Sequence, residues 1–481
     1  MNKSLPVIRF LFSGFILIAC SVQAQVLFSD EIIIEQTHLK KIKSACAADL
    51  DGDGDPDVLS ASAGDNKIAW YENLGKGVFG PQQIITTSAI EAEDVYAVDL
   101  DGDDDLDVLS ASETDDKIAW YENLGDAGFG PQQIISTSAD GAESVYAADL
   151  DDDGDYDALS ASEYDDKIAW YENLGNGVFS EQHVITTLAD GAEYAYASDL
   201  DGDGDLDVVS ASEFANQIAW YENLGGGIFS ETNVITDSTD GAEFVHTADL
   251  DNDGDQDVLS ASIRDDKVAW YENLGDGAFG PQIIITRAAD GPECVYAADL
   301  DNDGDMDVLS ASEFDNTIAW YENLGDGAFG ELQVITANAE GASYVSAVDF
   351  DNDGDMDVLS ASETDHKLSW FKNLFITDAS CSDFLEKPQG FQLSQNYPNP
   401  FNSTTLISFY TPVSGRVRFT IFDVSGRPVS FLEYNADQPG DHQVAFHAEY
   451  ITSGVYMIRS EMVLQNKSNP QVFTRKLILM K

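Results

Sequence analysis

The stretch "ADLDGDGDPDVLSAS", Ala48 to Ser62, sets five aspartates within nine residues and then turns apolar. Its first aspartate, Asp49, recurs as Asp99, Asp149, Asp199, Asp249, Asp299 and Asp349, at a constant step of 50 residues. A period of this length takes precedence over local pattern, because each repeat is one supersecondary unit that buries its apolar faces against its neighbours. Seven such units occupy most of the 481-residue chain.

Within the second unit, "VYAVDL" (Val95 to Leu100) is a short apolar run, and "DVLSAS" (Asp107 to Ser112) follows the acidic loop. "KIAWYEN" (Lys117 to Asn123) alternates Ile118 and Trp120 against Ala119 and Tyr121, and "FGPQQIIST" (Phe129 to Thr137) comes after the turn "NLGDAG". Four β-type runs separated by Gly, Asn and Asp turns predict a four-stranded antiparallel sheet per unit. Such a sheet is apolar on both faces, so neighbours must cover both, and radial stacking of blades does this. All seven tryptophans, from Trp70 to Trp370, hold one repeat position, which predicts blade-to-blade core rather than a sugar-stacking row.

The two ends are complementary. The seventh unit stops after "KLSWFKNLF" without a fourth run, while "VLFSDEIIIEQ" (Val26 to Gln36) aligns with "GVFGPQQIITT" of the first unit. A chain that starts with the fourth strand and ends with the third closes into a ring and removes its exposed edges. The expected fold is all-β, a seven-bladed β-propeller over 25–375, followed by a small Ig-like β-sandwich.

A formal net charge of −65 excludes nucleic acid and anionic lipid as partners, since both need clustered Lys and Arg. The opening "MNKSLPVIRFLFSGFILIACSVQAQ" has Lys3 and Arg9, an apolar run from Phe10 to Val22 and a small-residue cleavage site, so 1–24 reads as a secretory signal peptide. "LIAC" at Cys20 offers the alternative of a lipidated N-terminus. No later segment has the roughly 18 apolar residues of a membrane span. Cys46, Cys294 and Cys381 lie at non-equivalent positions and form no disulfide framework.

Each aspartate cluster fits D-x-D-x-D-G-x-x-D. In the first loop Asp49, Asp51, Asp53 and Asp57 are candidate side-chain ligands and Asp55 a backbone-carbonyl ligand, with Gly54 at the sharp turn. The same positions are Asp99, Asp101, Asp103, Asp105 and Asp107 in the second loop, and Asp149, Asp151, Asp153, Asp155 and Asp157 in the third. They are Asp199, Asp201, Asp203, Asp205 and Asp207 in the fourth, and Asp249, Asp251, Asp253, Asp255 and Asp257 in the fifth. Asp299, Asp301, Asp303, Asp305 and Asp307 form the sixth, and Asp349, Asp351, Asp353, Asp355 and Asp357 the seventh. Hard oxygens at alternating positions suit Ca²⁺; the absence of interleaved Cys or His argues against zinc, and Mg²⁺ favours fewer protein ligands. Up to seven ions are expected, with the second site weaker because Asp104 replaces the turn glycine.

"DLDGDGDLDVVSAS" with "IAWYENLGGGIFS" resembles the FG-GAP/VCBS-type repeats of bacterial secreted proteins, similar in pattern to the calcium-bearing blades of integrin α-subunit propellers. The resemblance covers about residues 26 to 375 and implies a propeller with Ca²⁺ between the first two strands of each blade. The six histidines fall at unrelated repeat positions, and no P-loop, Rossmann or G-x-S-x-G motif appears. Nearly identical blades disfavour a catalytic carboxylate pair, which would make one or two blades deviate.

After Phe375 the period ends, "ITDASCSDFLEKPQG" (376–390) reads as a linker, and β-type runs follow to Lys481. "NYPNPFN" (Asn396 to Asn402), "IFDVSGRPV" (Ile421 to Val429) and "SGVYMIR" (Ser453 to Arg459) resemble the C-terminal sorting domain of type IX secretion cargo in Bacteroidetes, assigned to 391–481. An accessory Ig-like domain is the alternative. The resemblance implies the secretion machinery as partner and release or display at the outer-membrane surface.

The expected function is a calcium-binding adhesion or binding module for an extracellular protein or glycan. A polysaccharide hydrolase or lyase and a structural surface-layer component are the alternatives. The face opposite the acidic loops carries Glu113, Asp115, Asp116, Glu143, Glu163, Asp165, Asp166, Glu193, Glu243 and Glu293, with Arg264 as its one basic residue. That face is expected to favour a basic or cation-bridged partner.

Overall fold

The computed structural model describes Val26 and residues 28–125, 127–374, 392–393, 401, 404–411, 413–423, 427–436, 440–448, 451–462 and 471–479. The signal-peptide and linker assignments fall outside these residues. The chain divides into two compact units, Met1–Ile376 and Thr377–Lys481.

In the first unit, Ile42–Ala48, Asp57–Ser62, Lys67–Tyr71 and Gln83–Thr86 pair in that order as one antiparallel sheet. Seven such four-stranded sheets follow one another among the described residues. The sequence placed the innermost strand of the second blade at Val95–Leu100, whereas it runs Ala92–Val98. A bulge between Ala92 and Asp94 lets it begin early, and the Asp99–Leu100 pair already belongs to the loop.

The second strand, DVLSAS in most blades, is buried throughout its length. Its serines and alanine leave room for a sheet on either side. One face of the first blade presents Leu59, Ala61, Ile68 and Trp70, which pack on Val95, Val108 and Tyr121 of the second, and Leu109, Ala111, Ile118 and Trp120 repeat the contact on the third. Burying one such aromatic stabilises by about 1.5–3 kcal/mol. The tryptophans are 2–7 % exposed and are core, as expected.

The ring closes as the termini require. Ile32–Glu35 pairs with Lys367–Phe371, with Ile32 opposite Trp370, and Phe28 bridges to Asn373. Leu359, Leu368 and Trp370 of the seventh blade pack with Ala45, Val58 and Tyr71 of the first. The Ser343 hydroxyl donates to the Ile42 carbonyl at 2.9 Å across this junction. The fold is a seven-bladed β-propeller.

One close approach distinguishes the blades. A Cβ on Gly77, Gly177 or Gly227, each in left-handed backbone, would lie 2.3 Å from the Trp370, Trp120 or Trp170 ring of the preceding blade. The second blade has Ala127 there, at φ +50, within the cluster that holds Trp70.

The C-terminal unit is a two-sheet sandwich. Gln392–Leu393, Thr404–Thr411 and Gly440–His447 form one sheet. Pro428–Ala436, Gly415–Asp423, Gly454–Met462 and Gln471–Leu479 form the other. Alternate residues Val417, Phe419 and Ile421 meet Ile407, Phe409 and Phe446 in the core.

Gly177→Ala should cost about 1–3 kcal/mol by overpacking against Trp120, and Ala127→Gly should be neutral or stabilising, both read by denaturant unfolding. Deleting Val26 to Gln36 should uncover the Lys367–Phe371 edge and produce aggregation or a broad, non-cooperative transition; a deletion variant as soluble and cooperative as the parent would contradict ring closure.

Candidate metal centres

Each acidic loop joins the first and second strands of its blade. The Asp49 carboxylate accepts the Asp53 N–H at 3.0 Å and the Gly54 N–H at 2.9 Å, and Asp53 accepts the Asp55 N–H at 2.9 Å. These bonds curl the loop so that its first aspartates converge. Carboxylate oxygens of Asp49, Asp51 and Asp53 lie within 4.8 Å of one another, as do those of Asp99, Asp101 and Asp107 and of Asp149, Asp151 and Asp157. An all-carboxylate set at this spacing is a hard-cation donor set. In the second and seventh loops, Asp101 Oδ1 and Asp351 Oδ1 are buried without a hydrogen-bond partner, atoms that a cation would satisfy. The residues therefore fit the ion that the loop pattern implies.

The fifth aspartate of each loop is wholly buried: Asp57, Asp107, Asp157, Asp207, Asp257, Asp307 and Asp357 are 0 % exposed. Asp57 accepts the Leu50 N–H at 3.0 Å and the Asn73 N–H at 2.7 Å. The Asn73 amide then donates to Pro56 O at 3.0 Å and, across the blade junction, to Phe350 O at 2.9 Å. The pattern repeats, with Asn123 on Leu50 O, Asn173 on Leu100 O and Asn223 on Leu150 O, each at 2.8 Å. Burial pushes the Asp57 carboxyl up to about 7, against the two N–H donors and with Asp51 and Asp49 adding to the rise. The second aspartates Asp51, Asp101, Asp151, Asp201 and Asp251 are also raised, first by burial. Such groups gain from a nearby cation.

The fourth aspartate has a further role. Asp55 accepts the Asn352 amide at 2.6 Å and Asp355 the Asn302 amide at 2.8 Å, tying loop to loop between blades. Asp104, the non-glycine turn, takes left-handed backbone at φ +74 and keeps its N–H on Asp99 at 2.9 Å. The loop shape survives, and the substitution acts as local strain.

The opposite face is less simply acidic than the sequence reading held. Arg264, which pairs with Glu213, is not its one basic residue. Lys43 holds the repeat position of Glu93, Glu143, Glu193, Glu243 and Glu293, 3.7 Å from Glu93 and 3.3 Å from Glu363. Lys67, Lys117, Lys167, Lys267 and Lys367 pair with the hairpin aspartates Asp65, Asp115, Asp165, Asp265 and Asp365. Strand pattern alone separates these partners, putting each lysine in the third strand and each aspartate in the turn before it, whereas the hairpin brings their side chains together. Glu143 and Glu193 sit near the start of innermost strands, where burial pushes both well above the usual carboxylate range.

Along the axis, Tyr96, Tyr146, Tyr196, His246 and Tyr296 form a belt with neighbouring ring centroids 4.5–5.2 Å apart. A cavity of about 450 Å³ on the acidic-loop side is lined by Tyr96, Tyr146, Tyr156, Tyr196, Asp149 and Gln256 among others. The belt position is tyrosine in four blades and Cys46, His246 and Ser346 in the others.

A chain of repeated, ring-closed blades, each with an aspartate loop between its first two strands, defines a repeat propeller. The chain belongs to the FG-GAP-like repeat family, with matches at 49–110, 99–160, 149–210, 199–260, 249–310 and 299–360. Its C-terminal unit matches the secretion system C-terminal sorting domain over 395–480, which makes it an exported protein, on the surface or released, of the Bacteroidetes type. No curated protein matches the chain. Among solved structures it is similar to an Agrocybe aegerita lectin that recognises non-reducing terminal N-acetylglucosamine, at 19% identity and TM-score 0.50, covering 70% of this chain and 87% of that one. It is also similar to PorZ of Porphyromonas gingivalis, a surface component of the type IX secretion system, at 12% identity and TM-score 0.44, covering 88% of this chain and 58% of that one. No helix of the described residues is long and apolar enough to cross a membrane.

The blade clamp has a direct test. Asn223→Ala removes the donors to Leu150 O and Leu206 O and should cost about 1–3 kcal/mol through the buried carbonyl left unpaired; a loss below about 0.5 kcal/mol in denaturant titration would contradict the clamp.

Proposed function

We propose that this protein is a calcium-stabilised binding or adhesion module, delivered through the signal peptide (1–24) and sorting domain (391–481) to the cell surface or beyond. In this reading residues 25–375 are the working part and 376–390 the linker. The observation that carries the calcium assignment is the convergence of three carboxylate oxygens within 4.8 Å in repeated loops. In the first loop Asp49, Asp51, Asp53 and Asp57 would hold the ion with the Asp55 carbonyl, and the loops of the next five blades would do so with their equivalent residues. Bound calcium supplies the positive charge that lets these carboxylates stay ionised together. The aspartates hold the loop's curl, and through Asp57 and Asn73 they brace one blade against the next.

The binding assignment is supported by where the repeats differ. The framework strands are nearly constant, whereas the hairpins after the second strand read, in blade order, AGDN, ETDD, EYDD, EFAN, IRDD, EFDN and ETDH. Their tips expose Tyr164 (57%), Phe214 (48%) and Phe314 (56%) beside the glutamates. Varied, exposed aromatics on a rigid scaffold are the usual makings of a recognition surface. The partner is an extracellular protein or glycan.

Removing the metal should lower stability. With dissociation constants of about 0.1–1 mM, millimolar calcium adds about 1 kcal/mol per filled site. Excess chelator should therefore depress the thermal midpoint well below its value in calcium, and an unchanged midpoint would overturn the calcium reading. Asp301→Ala should cost more than Asp101→Ala, since the second loop already carries Asp104. On protein and glycan arrays, the triple variant Tyr164→Ala, Phe214→Ala, Phe314→Ala should lose the partner captured by the parent while unfolding at nearly the same midpoint; retained capture would move the binding surface elsewhere. Deleting 391–481 should leave the propeller folded but retained in the periplasm of the native host, and normal export of that truncation would overturn the sorting role.

A further inference from the structure

The seventh loop differs from the other six in one residue outside it. Just past the third strand the first six blades carry Glu72, Glu122, Glu172, Glu222, Glu272 and Glu322, and the seventh carries Lys372. Each glutamate lies near enough to the second aspartate of its own loop to add negative field there. In the seventh blade the field is reversed. The Lys372 ammonium hydrogen-bonds Asp351 Oδ2 and, at 2.8 Å, Asp353 Oδ2. These are the equivalents of Asp51 and Asp53, two of the three aspartates that converge in the first loop.

We propose that the Lys372 ammonium takes the place of the divalent cation in the seventh loop, so that the propeller binds calcium in six loops and holds the seventh with its own charge. The proposal rests on the calcium reading of the other loops. A divalent ion among Asp349, Asp351 and Asp353 would meet an ammonium already bonded to two of its ligand carboxylates, and the charge beside the loop is two units more positive than in the other blades. Like-charge repulsion and the engagement of Asp351 Oδ2 and Asp353 Oδ2 by the ammonium act in the same direction, against the one oxygen left without a partner, Asp351 Oδ1.

The location gives the substitution a purpose. Lys372 is also where the two ends of the propeller meet: its N–H donates to the Ser29 hydroxyl at 3.0 Å, and its carbonyl accepts the Ser29 N–H at 2.9 Å. The closing blade is the one assembled from distant segments of the chain, so its formation carries the longest loop-closure cost. A built-in cation lets that blade form at any calcium concentration, and the remaining loops then fill on a ring already closed.

The test counts calcium ions per chain on the purified protein by equilibrium dialysis and elemental analysis, at saturating calcium. Lys372→Glu, which restores the residue of the other blades, and Lys372→Met, which only removes the charge, should each bind one ion more than the parent. In the parent, Asp351→Asn should leave the count unchanged and Asp301→Asn should lower it by one. In chelator, Lys372→Glu should unfold at a lower temperature than the parent, and calcium should recover the difference. Seven ions in the parent, equal counts in parent and Lys372 variants, or a loss of one ion in Asp351→Asn would overturn the role of Lys372 while leaving calcium in place. No calcium in any variant would overturn the calcium reading and this proposal with it.

Discussion

The architecture depends on a buried aspartate that cannot reach water. Asp57 and its six equivalents each sit at 0 % exposure and accept two backbone N–H groups, one from the loop ahead and one from the end of the third strand. That second bond positions an asparagine whose amide reaches the preceding blade. Loop shape, sheet edge and blade-to-blade contact thus share one carboxylate. A carboxylate buried this deeply is costly unless paired, and its two N–H donors offset that cost only in part, since its titration remains raised toward neutral pH.

From this constraint follows the acidity of the loops. The aspartates ahead of the buried one curl the backbone onto themselves and gather negative charge at the mouth of each blade junction. A cation placed there stabilises the cluster and, through the fifth aspartate and its asparagine, the seam between blades. Metal binding and ring rigidity are then one linked equilibrium rather than two separate properties. On the other face the charge is managed differently. In five blades a lysine at the start of the third strand neutralises the hairpin aspartate before it, while the glutamates near the axis are partly enclosed and one of them, Glu93, pairs with Lys43.

The closing blade joins these two strategies. It is built from Ile32–Glu35 and from strands more than 300 residues later, and it carries a lysine where the others carry a glutamate. The Asn73–Phe350 bond carries the clamp of the other junctions across the meeting of last and first blades, and Asn352–Asp55 repeats the Asn302–Asp355 tie of the junction before it. The asparagine clamp therefore runs unbroken around the ring, although one of its blades is discontinuous in the chain.

Much of this was legible in the sequence because it depends on local period. The repeat of 50, the four β-type runs, the constant tryptophan and the complementary ends determined a closed seven-bladed ring before any contact was known. The loop aspartates were legible for the same reason, as alternating residues on a turn. Tertiary structure decided what those residues do. Asp57, besides its place in the loop pattern, accepts a backbone N–H on each oxygen, and Asn73, the last letter of its "KIAWYEN", clamps a carbonyl 277 positions away. Lys43 joins a ring of glutamates, and Lys372 enters a loop that by pattern alone equals the other six. Periodicity encodes what neighbouring residues must form, whereas partner choice depends on which side chains the closed ring brings together from different blades. That convergence exists only once the sheets have stacked.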